Sequence, residues 1–323
     1  MRGGVAREAI LIIVNPTSGR RRALRVAEQV AAYLKRRDRD AAIRYTRARG
    51  DAERLVQEAC ISQDDQPGCV VACGGDGTVQ EVANALAPLQ ASPDHEAPVM
   101  GLAPAGRCND FARALGITAG PVAIAKTLAD GVPYAIDLGK VNERYFCTVA
   151  TLGVDAEVTS YVDAMRLPLR GTLAYVYGAI RVIRRYRAHD VHLTGDFGTI
   201  EQSIFLASSA NTSSYGGAIP IAPGASPTDG KLNLCIVDRV SRLRAFLMLP
   251  MVMLGRHRNQ PDVHFIHTEQ FTVEAKETLE IWADGERIGT TPAKIEVAPG
   301  ALRVLLPRSN HDVTNPACVT SRH

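Results

Sequence analysis

The feature that most constrains the fold is an apolar segment that leads directly into a glycine-rich loop and then into a helix. Residues Cys69–Cys73 form an apolar run without alternation, and Gly74-Gly75-Asp76-Gly77-Thr78 follows it. A strand without a polar face is buried on both sides, which is typical of a parallel sheet covered by helices. The next segment, Val79–Leu86, has a helical pattern. The glycines are therefore predicted to lie at a strand–helix junction.

Residues 1–134 repeat this alternation of strand and helix, which predicts an α/β domain with a parallel sheet. The predicted strands are Ile10–Val14, Ile43–Thr46, Cys69–Cys73 and Val99–Ala103. The predicted helices are Ala23–Lys35, Asp51–Cys60, Val79–Leu86, Asn109–Leu115 and Val122–Asp130.

Residues 135–289 have a different pattern, with short β-like runs separated by turns such as Asp229-Gly230 and Asp284-Gly285. The runs here and just after are Ala135–Val141, Arg144–Leu152, Asp190–Thr194, Ser203–Ser209, Leu232–Val237, Thr268–Ala275, Leu279–Ala283 and Lys294–Val297, with a last apolar run at Leu302–Leu306. This pattern predicts an antiparallel, sandwich-like β domain. Two helices, Leu173–Tyr186 and Arg242–Leu254, are predicted within it. Residues of about 290–307 are expected to return to the first domain, and residues 308–323 are expected to form a loose tail. The fold class is thus an α/β domain plus a β-sandwich domain.

Composition excludes several classes of function. A formal charge of +3 and an aromatic content of 5% do not favour nucleic acid binding. The seven cysteines include no CxxC pair, which favours reduced thiols in a cytoplasmic protein. Neither a secretory signal nor an apolar window of about 18 residues is present, so we expect a soluble or peripheral protein.

The glycine loop has the properties of a phosphate-binding site. Glycines let the backbone approach phosphate oxygens closely, and a helix N-terminus supplies N–H donors and positive potential. A carboxylate is otherwise unfavourable inside such a loop. Asp76 is therefore predicted to bind a backbone amide, a metal-bound water or an acceptor hydroxyl.

Several separated strings resemble the diacylglycerol kinase catalytic-domain superfamily, specifically the bacterial YegS/DgkB-type lipid kinases. The resemblance spans residues of about 9–307, and its order along the chain makes it specific. The strings are Asn15-Pro16-Thr17-Ser18-Gly19, Gly50-Asp51-Ala52 after Thr46, Gly74–Thr78, Asn109-Asp110-Phe111, Gly153-Val154-Asp155-Ala156, Gly216-Gly217, Ala222–Ala225, Asp229-Gly230-Lys231-Leu232 and Asp284-Gly285-Glu286.

The resemblance implies an ATP-dependent lipid kinase that transfers the γ-phosphoryl group to a lipid alcohol, with diacylglycerol as the default substrate. It implies an active site in the cleft between the two domains and a requirement for Mg²⁺. It implies that Asp229, with main-chain oxygens of Ser226 and Lys231, binds the metal. It implies Glu286 as the general base, with Asp76 as the alternative. The implied nucleotide contacts are Asn15, Pro16, Thr46, Gly74, Gly75, Asp76, Gly77, Thr78, Val79, Gln80 and Asn109.

One position departs from the family pattern. The family usually has threonine where this chain has Arg107, within Gly106-Arg107-Cys108-Asn109. Arginine accepts no hydrogen bond, but it pairs bidentately with phosphate. We hypothesise that Arg107 contacts the nucleotide phosphates; the alternative is a rim arginine that points to solvent.

Basic clusters add an expectation about partners. Arg181, Arg184 and Arg185 share one predicted helical face, and Arg256, His257 and Arg258 follow another helix. They are either solvated or attracted to an anionic membrane surface that holds the lipid substrate. A homodimer is compatible with the sequence, which does not fix the oligomeric state. Two other functions remain open: an NAD kinase-like small-molecule kinase, and a non-catalytic nucleotide- or lipid-binding regulator.

Overall fold

The computed structural model describes residues 9–61, 66–92, 97–165 and 172–308. The chain forms two compact units, divided between Ile136 and Asp137 and again between Gly300 and Ala301. Unit 2 comprises residues 137–300, and unit 1 comprises the remainder. None of the helices described is both long and apolar enough to cross a membrane. The predicted tail, from residue 309 onward, lies outside the described residues.

Unit 1 alternates strands and helices along the chain. Its elements are β1 Ile10–Val14, α1 Arg22–Lys35, β2 Ala41–Tyr45, α2 Asp51–Ala59, β3 Cys69–Gly74, α3 Asp76–Gln90, β4 Val99–Pro104, α4 Asp110–Ala114 and α5 Pro121–Asp130. All nine correspond to predicted elements, with boundaries that differ by a few residues.

The sheet of unit 1 is parallel, as predicted, and has the order β2-β1-β3-β4. The C-terminal part of strand β15, Ala293–Leu306, pairs in parallel with β4 through Val304 and Met100. Every residue of β1 and β3 is buried. Because helices cover both faces of these strands, the apolar runs need no polar alternation.

Unit 2 is built mainly from antiparallel strands. Its elements are β5 Val132–Val141, which begins in unit 1, β6 Arg144–Phe146, β7 Val149–Gly153, α6 Val154–Met165, α7 Thr172–Ile183, β8 His189–Gly195, β9 Gly198–Ala210, β10 Leu232–Asp238, α8 Arg242–Met253, β11 Val263–Thr268, β12 Gln270–Ala275, β13 Glu280–Ala283, β14 Glu286–Thr290 and the N-terminal part of β15.

These strands follow the order β14-β13-β7-β9-β8-β12-β15, with β10 and β11 attached to β9. A buried cluster that includes Phe146, Leu193 and Phe271 fills this β core. A second cluster lies beneath α6, α7 and α8 and includes Tyr186, Phe205 and Met248. The predicted fold class, an α/β domain plus an antiparallel β-sandwich domain, is confirmed.

Several details of unit 2 differ from the sequence prediction, among them strands β11 and β14, for which no run was predicted. The run at 144–152 is two strands, because Cys147 and Thr148 leave the ladder between β6 and β7. Helix α6 was not predicted, since its first residues carry apolar and small side chains in a pattern that also fits a strand. The apolar runs at 294–297 and 302–306 belong to one long strand, β15.

Candidate active site

In unit 1, four loops meet at the carboxyl edge of the parallel sheet. The loops follow β1 at Asn15, β2 at Thr46, β3 at Gly74 and β4 at Ala105. Strand register places Val14 beside both Tyr45 and Cys73, and Gly74 beside Pro104. Ligands in open α/β sheets bind outside the carboxyl ends of the strands. This edge therefore brings together the nucleotide-contact positions predicted from sequence.

The glycine loop lies against the loop after β4 with no room for a side chain. A Cβ atom added to Gly106 would lie 2.4 Å from the Cα atom of Gly75, and one added to Gly74 would lie 2.4 Å from Oγ1 of Thr78. The Gly106 N–H donates to the Gly74 carbonyl oxygen at 2.9 Å. The N-terminus of α3, a helix of 15 residues, opens at this contact. Its unpaired N–H groups and dipole favour an anion here.

Asp76 stabilises the contact between these two loops. Its carboxylate oxygens accept hydrogen bonds from the backbone N–H groups of Asn109 at 2.9 Å and Asp110 at 2.7 Å. Burial, together with the nearby Asp110 carboxylate, raises the pKa of Asp76 to about 6, although the backbone N–H groups oppose this shift. Of the three roles that the sequence left open for Asp76, the geometry supports binding of backbone amides.

Asn109 and Arg107 occupy the loop that Asp76 holds. Asn109 has a left-handed backbone with φ 52°, and its Oδ1 accepts the Gly106 N–H at 2.9 Å. Asparagine tolerates this conformation better than most residues. Arg107 is exposed and forms no hydrogen bond or ion pair with any residue described. Its guanidinium is therefore available to a ligand at this edge.

The turn after β1 is held by Asn15. Its Oδ1 accepts the Thr17 N–H at 3.1 Å and the Thr17 hydroxyl at 2.8 Å, while Pro16 continues the turn. Gly19 has φ +56°, and a Cβ there would lie 2.0 Å from the Ala105 carbonyl oxygen. The loop after β1 thus packs directly against the loop after β4.

Among the remaining predicted nucleotide contacts, several side chains point inward. Thr46 is 8% exposed, Thr78 6%, Val79 5% and Gln80 1%. The structure therefore presents the backbone of the loop, including Gly77, more readily than the side chains of Val79 and Gln80.

In unit 2, Asp229 lies on an exposed loop shaped by a buried carboxylate. Asp229 Oδ1 accepts the Lys231 N–H at 3.1 Å. Asp137 is 5% exposed and accepts N–H hydrogen bonds from Gly230 at 2.7 Å and Gly300 at 2.8 Å. Burial raises the pKa of Asp229, and the Asp137 carboxylate raises it further. A bound cation would offset both effects.

The oxygen donors on this loop suit a hard divalent cation. Mg²⁺ prefers carboxylate and carbonyl oxygens and usually keeps several waters, so one carboxylate with a few main-chain oxygens is sufficient. Asp229 and the main chain at Ser226 and Lys231 offer such a set. Within the described residues no group of three or more His, Cys, Asp or Glu side chains could hold a metal.

Glu286 follows a tight hairpin turn between β13 and β14. Asp284 and Gly285 have φ values of 51° and 84°, the positive pair of a two-residue type I′ turn. Asp284 also accepts N–H hydrogen bonds from Cys147 at 2.6 Å and Thr148 at 3.0 Å, and one from the Thr148 hydroxyl. The turn is therefore anchored to the segment before β7, and Glu286 is partly exposed beside it.

An apolar cavity of about 120 Å³ lies among α6, α7, α8 and β9. Val158, Ile183, Phe205 and Met248 are among its lining residues, together with the ionisable side chains of Asp155 and His257. Burial raises the pKa of Asp155, although the neighbouring Tyr215 hydroxyl opposes this shift. The cavity lies entirely in unit 2, the unit that also holds Glu286.

Comparison with known proteins agrees with this geometry. Residues 9–141 match the model of the diacylglycerol kinase catalytic domain. A diacylglycerol kinase of Bacillus subtilis (strain 168) is 31% identical over 298 residues, which cover 92% of this chain and 96% of that protein. The chain belongs to the diacylglycerol kinase family.

Further matches extend this assignment to the second unit. Residues 148–306 match the YegS C-terminal NAD kinase beta sandwich-like domain. A diacylglycerol kinase of Mycobacterium tuberculosis (strain CDC 1551 / Oshkosh) is 33% identical over 93% of this chain and 95% of its own length. A crystal structure of a candidate diacylglycerol kinase from Bacillus anthracis str. Sterne superposes with a TM-score of 0.76 at 25% identity, covering 94% of this chain and 98% of that one. The resemblance read from the sequence strings is thus confirmed.

Sequence reasoning missed two carboxylates that position the family's motifs. Glu81, 8% exposed, accepts N–H hydrogen bonds from Gly50 and Ala52 at 2.9 Å each, and so holds the loop that carries Thr46. Asp137 holds the Asp229 loop in the same way. A signal existed for Asp137, because it is a single charge inside the apolar run Ala135–Leu138. Glu81 follows the glycine loop and belongs to the residues that resemble the family, but the resemblance assigned it no role.

Proposed function

We propose that this family member transfers the γ-phosphoryl group of ATP to the hydroxyl of diacylglycerol. The observation that carries the proposal is the junction of β3 and α3. There Gly74 and Gly106 have no room for side chains, and the N-terminus of α3 begins beside them. Membership of a kinase family implies ATP as the phosphoryl donor. Phosphoryl transfer depends mainly on positioning and charge neutralisation, which backbone donors at such a junction supply.

The nucleotide is held by the carboxyl edge of unit 1. Backbone N–H groups of Gly75, Gly77 and Thr78 face the phosphates, and the turns at Asn15-Pro16 and Thr46 border them. Arg107, exposed and without an ion pair among the residues described, pairs with a phosphate in place of the hydroxyl that relatives carry. If so, Arg107→Thr raises the Michaelis constant for ATP; an unchanged constant would leave Arg107 as a solvent-exposed rim residue.

Asp229, with the main-chain oxygens of Ser226 and Lys231, holds Mg²⁺. When bound, the ion neutralises phosphate charge and so stabilises the charge that develops during transfer. The support is chemical: these are hard oxygen donors, and the raised pKa of Asp229 marks a carboxylate that gains from a neighbouring cation.

Glu286 is the general base, and Asp76 has a structural role. A general base must lie within reach of the hydroxyl whose proton it accepts. Asp76 holds two loops together through the backbone N–H groups of Asn109 and Asp110, whereas Glu286 lies partly exposed directly after the Asp284-Gly285 turn. As the lipid oxygen bonds to the γ-phosphorus, its proton passes to Glu286 and the bond to the departing ADP oxygen breaks.

The apolar cavity of unit 2 receives part of an acyl chain. At about 120 Å³ it is smaller than the roughly 300–1,000 Å³ typical of small-molecule sites. A chain therefore enters with an outward shift of α7 or α8. Because diacylglycerol resides in membranes, the enzyme also associates peripherally with a bilayer.

Radiolabelled phosphoryl transfer to a panel of lipids tests the proposal. We expect label in diacylglycerol with Mg²⁺ and ATP, and a fall of about 10²–10⁴-fold in kcat for Glu286→Gln. Glu274→Gln, at an exposed position on β12 of the same unit, is the matched control and should retain activity. Absence of labelled lipid, or equal labelling by Glu286→Gln, would contradict the proposed mechanism.

A further inference from the structure

Helix α8 carries an apolar stripe that faces solvent. Leu243, Leu247 and Leu254, at its start, middle and C-terminal end, are 70%, 56% and 68% exposed. Their spacing of four and seven residues places them on one side of the helix, and the exposed Pro250 lies on the same side. Single exposed leucines are common, but a stripe along one helix marks an interaction surface.

The opposite face of α8 is also apolar and lines the cavity described above. Ala245, Met248, Leu249 and Val252 face that cavity, and Ala245 and Met248 are buried. A helix that is apolar all round is normally buried on every side. The exposed stripe therefore needs a cover that the described residues of unit 2 do not provide.

The charges around α8 indicate what covers it. Residues 239–261 contain five arginines and no aspartate or glutamate. Arg244 pairs with Asp262 at 2.8 Å, whereas the other four, Arg239, Arg242, Arg256 and Arg258, are exposed. His257 is fully buried and hydrogen-bonds through Nε2 to the Ile221 carbonyl, so it does not belong to the basic surface predicted from sequence.

Helix α7 adds basic side chains beside this surface. It packs against α8, and Arg181, together with Arg184 and Arg185 just after its end, is exposed. An apolar stripe bordered by arginines fits the interface of an anionic bilayer, where leucines enter the acyl boundary and arginines meet the headgroups. A two-fold contact between copies is less favourable, because it brings the same basic patch of both copies together.

We propose that the exposed face of α8, formed by Leu243, Leu247 and Leu254 with Arg242, Arg256 and Arg258, docks the protein onto anionic bilayers. The inference rests on the proposed function, since the lipid acceptor is drawn from the bilayer. The helix that contacts the membrane is then also a wall of the acyl-chain cavity, so docking places the cavity next to its substrate.

Vesicle sedimentation tests the docking surface directly. Full-length protein is mixed with vesicles of phosphatidylcholine, with or without phosphatidylglycerol. We expect binding to the anionic vesicles, weakened by salt, and at least a tenfold loss for the double variant Leu243→Ser/Leu247→Ser. Arg256→Gln/Arg258→Gln should lose the preference for phosphatidylglycerol. Val122→Ser on α5, at a residue 56% exposed, is the matched control and should bind as the wild type does.

Activity on two forms of substrate separates this inference from the proposed function. The leucine variant should phosphorylate a short-chain diacylglycerol dissolved in water at the wild-type rate, but lose turnover on diacylglycerol in vesicles. No transfer by wild type to either form would contradict the proposed function while leaving the sedimentation result valid. Unchanged vesicle binding by the leucine variant, or a wild-type dimer that this variant dissociates in ultracentrifugation, would overturn the docking proposal.

Discussion

At the scale of single residues, the contact between Gly75 and Gly106 is the most sensitive point of the nucleotide edge. We expect Gly106→Ala to raise the Michaelis constant for ATP at least tenfold, because its Cβ would lie 2.4 Å from backbone and push the two loops apart. Gly120→Ala is the matched control: Gly120 has φ −83° and open space around its Cα. Steady-state kinetics of both variants checks this, and equal constants would contradict the assigned packing.

The pKa of Asp76 predicts a pH dependence of stability. Its folded pKa, about 6, is above the ordinary value of 3.8, so the folded state holds the proton more tightly than the unfolded state. The contribution of Asp76 to the free energy of unfolding is therefore present in full below about pH 4, and it is lost as the pH rises through about 6. Relative to Asp76→Asn, wild type should lose up to about 3 kcal/mol of unfolding free energy between pH 4 and 7. Urea titrations of both proteins across this range measure the difference.

Single residues also show what the sequence could and could not reveal. The strand–helix junction at Gly74–Thr78 was predictable, because a buried apolar run, a cluster of glycines and a helical pattern follow one another directly in the sequence. The hydrogen-bond partners of Glu81 and Asp137 were not predictable, because they are backbone amides 29 to 163 positions away in the chain. Backbone donors leave no complementary residue type in the sequence.

At the scale of elements, prediction was most accurate where burial fixed the pattern. The four central strands of unit 1 are buried on both faces or flanked by clear turns, and sequence located all of them. In unit 2, β11, β14 and α6 were missed. The segment Glu286–Thr290 has few apolar residues, and it is a strand only because the Asp284-Gly285 turn folds it back on β13. Pairing partners thus decide strand formation where the local pattern is weak.

The loop between Ser226 and Lys231 depends on strand β5 through Asp137. Asp137→Ala leaves the N–H groups of Gly230 and Gly300 without their acceptor. We expect the free energy of unfolding to fall on the order of 3 kcal/mol, and the Mg²⁺ concentration for half-maximal activity to rise. Asp190→Ala, an exposed carboxylate on β8, should leave both quantities nearly unchanged. If the Mg²⁺ requirement of Asp137→Ala stayed at the wild-type value, Asp137 would not position the metal loop.

At the scale of the whole molecule, the proposal divides the work between two units: unit 1 binds the nucleotide, and unit 2 supplies the base, the metal loop and the lipid cavity. Ligand binding to the folded state raises stability by an amount set by ligand concentration over Kd. The rise in melting temperature on adding ATP should therefore be the same for wild type and Glu286→Gln, while kcat of that variant falls. Gly106→Ala should show the reverse, a reduced rise in melting temperature. Asp229→Asn should lose only the additional rise that Mg²⁺ gives. Thermal denaturation with and without ATP and Mg²⁺ gives the melting temperatures of all three variants. If ATP did not raise the melting temperature of Glu286→Gln, the two units would not divide nucleotide binding and chemistry in this way.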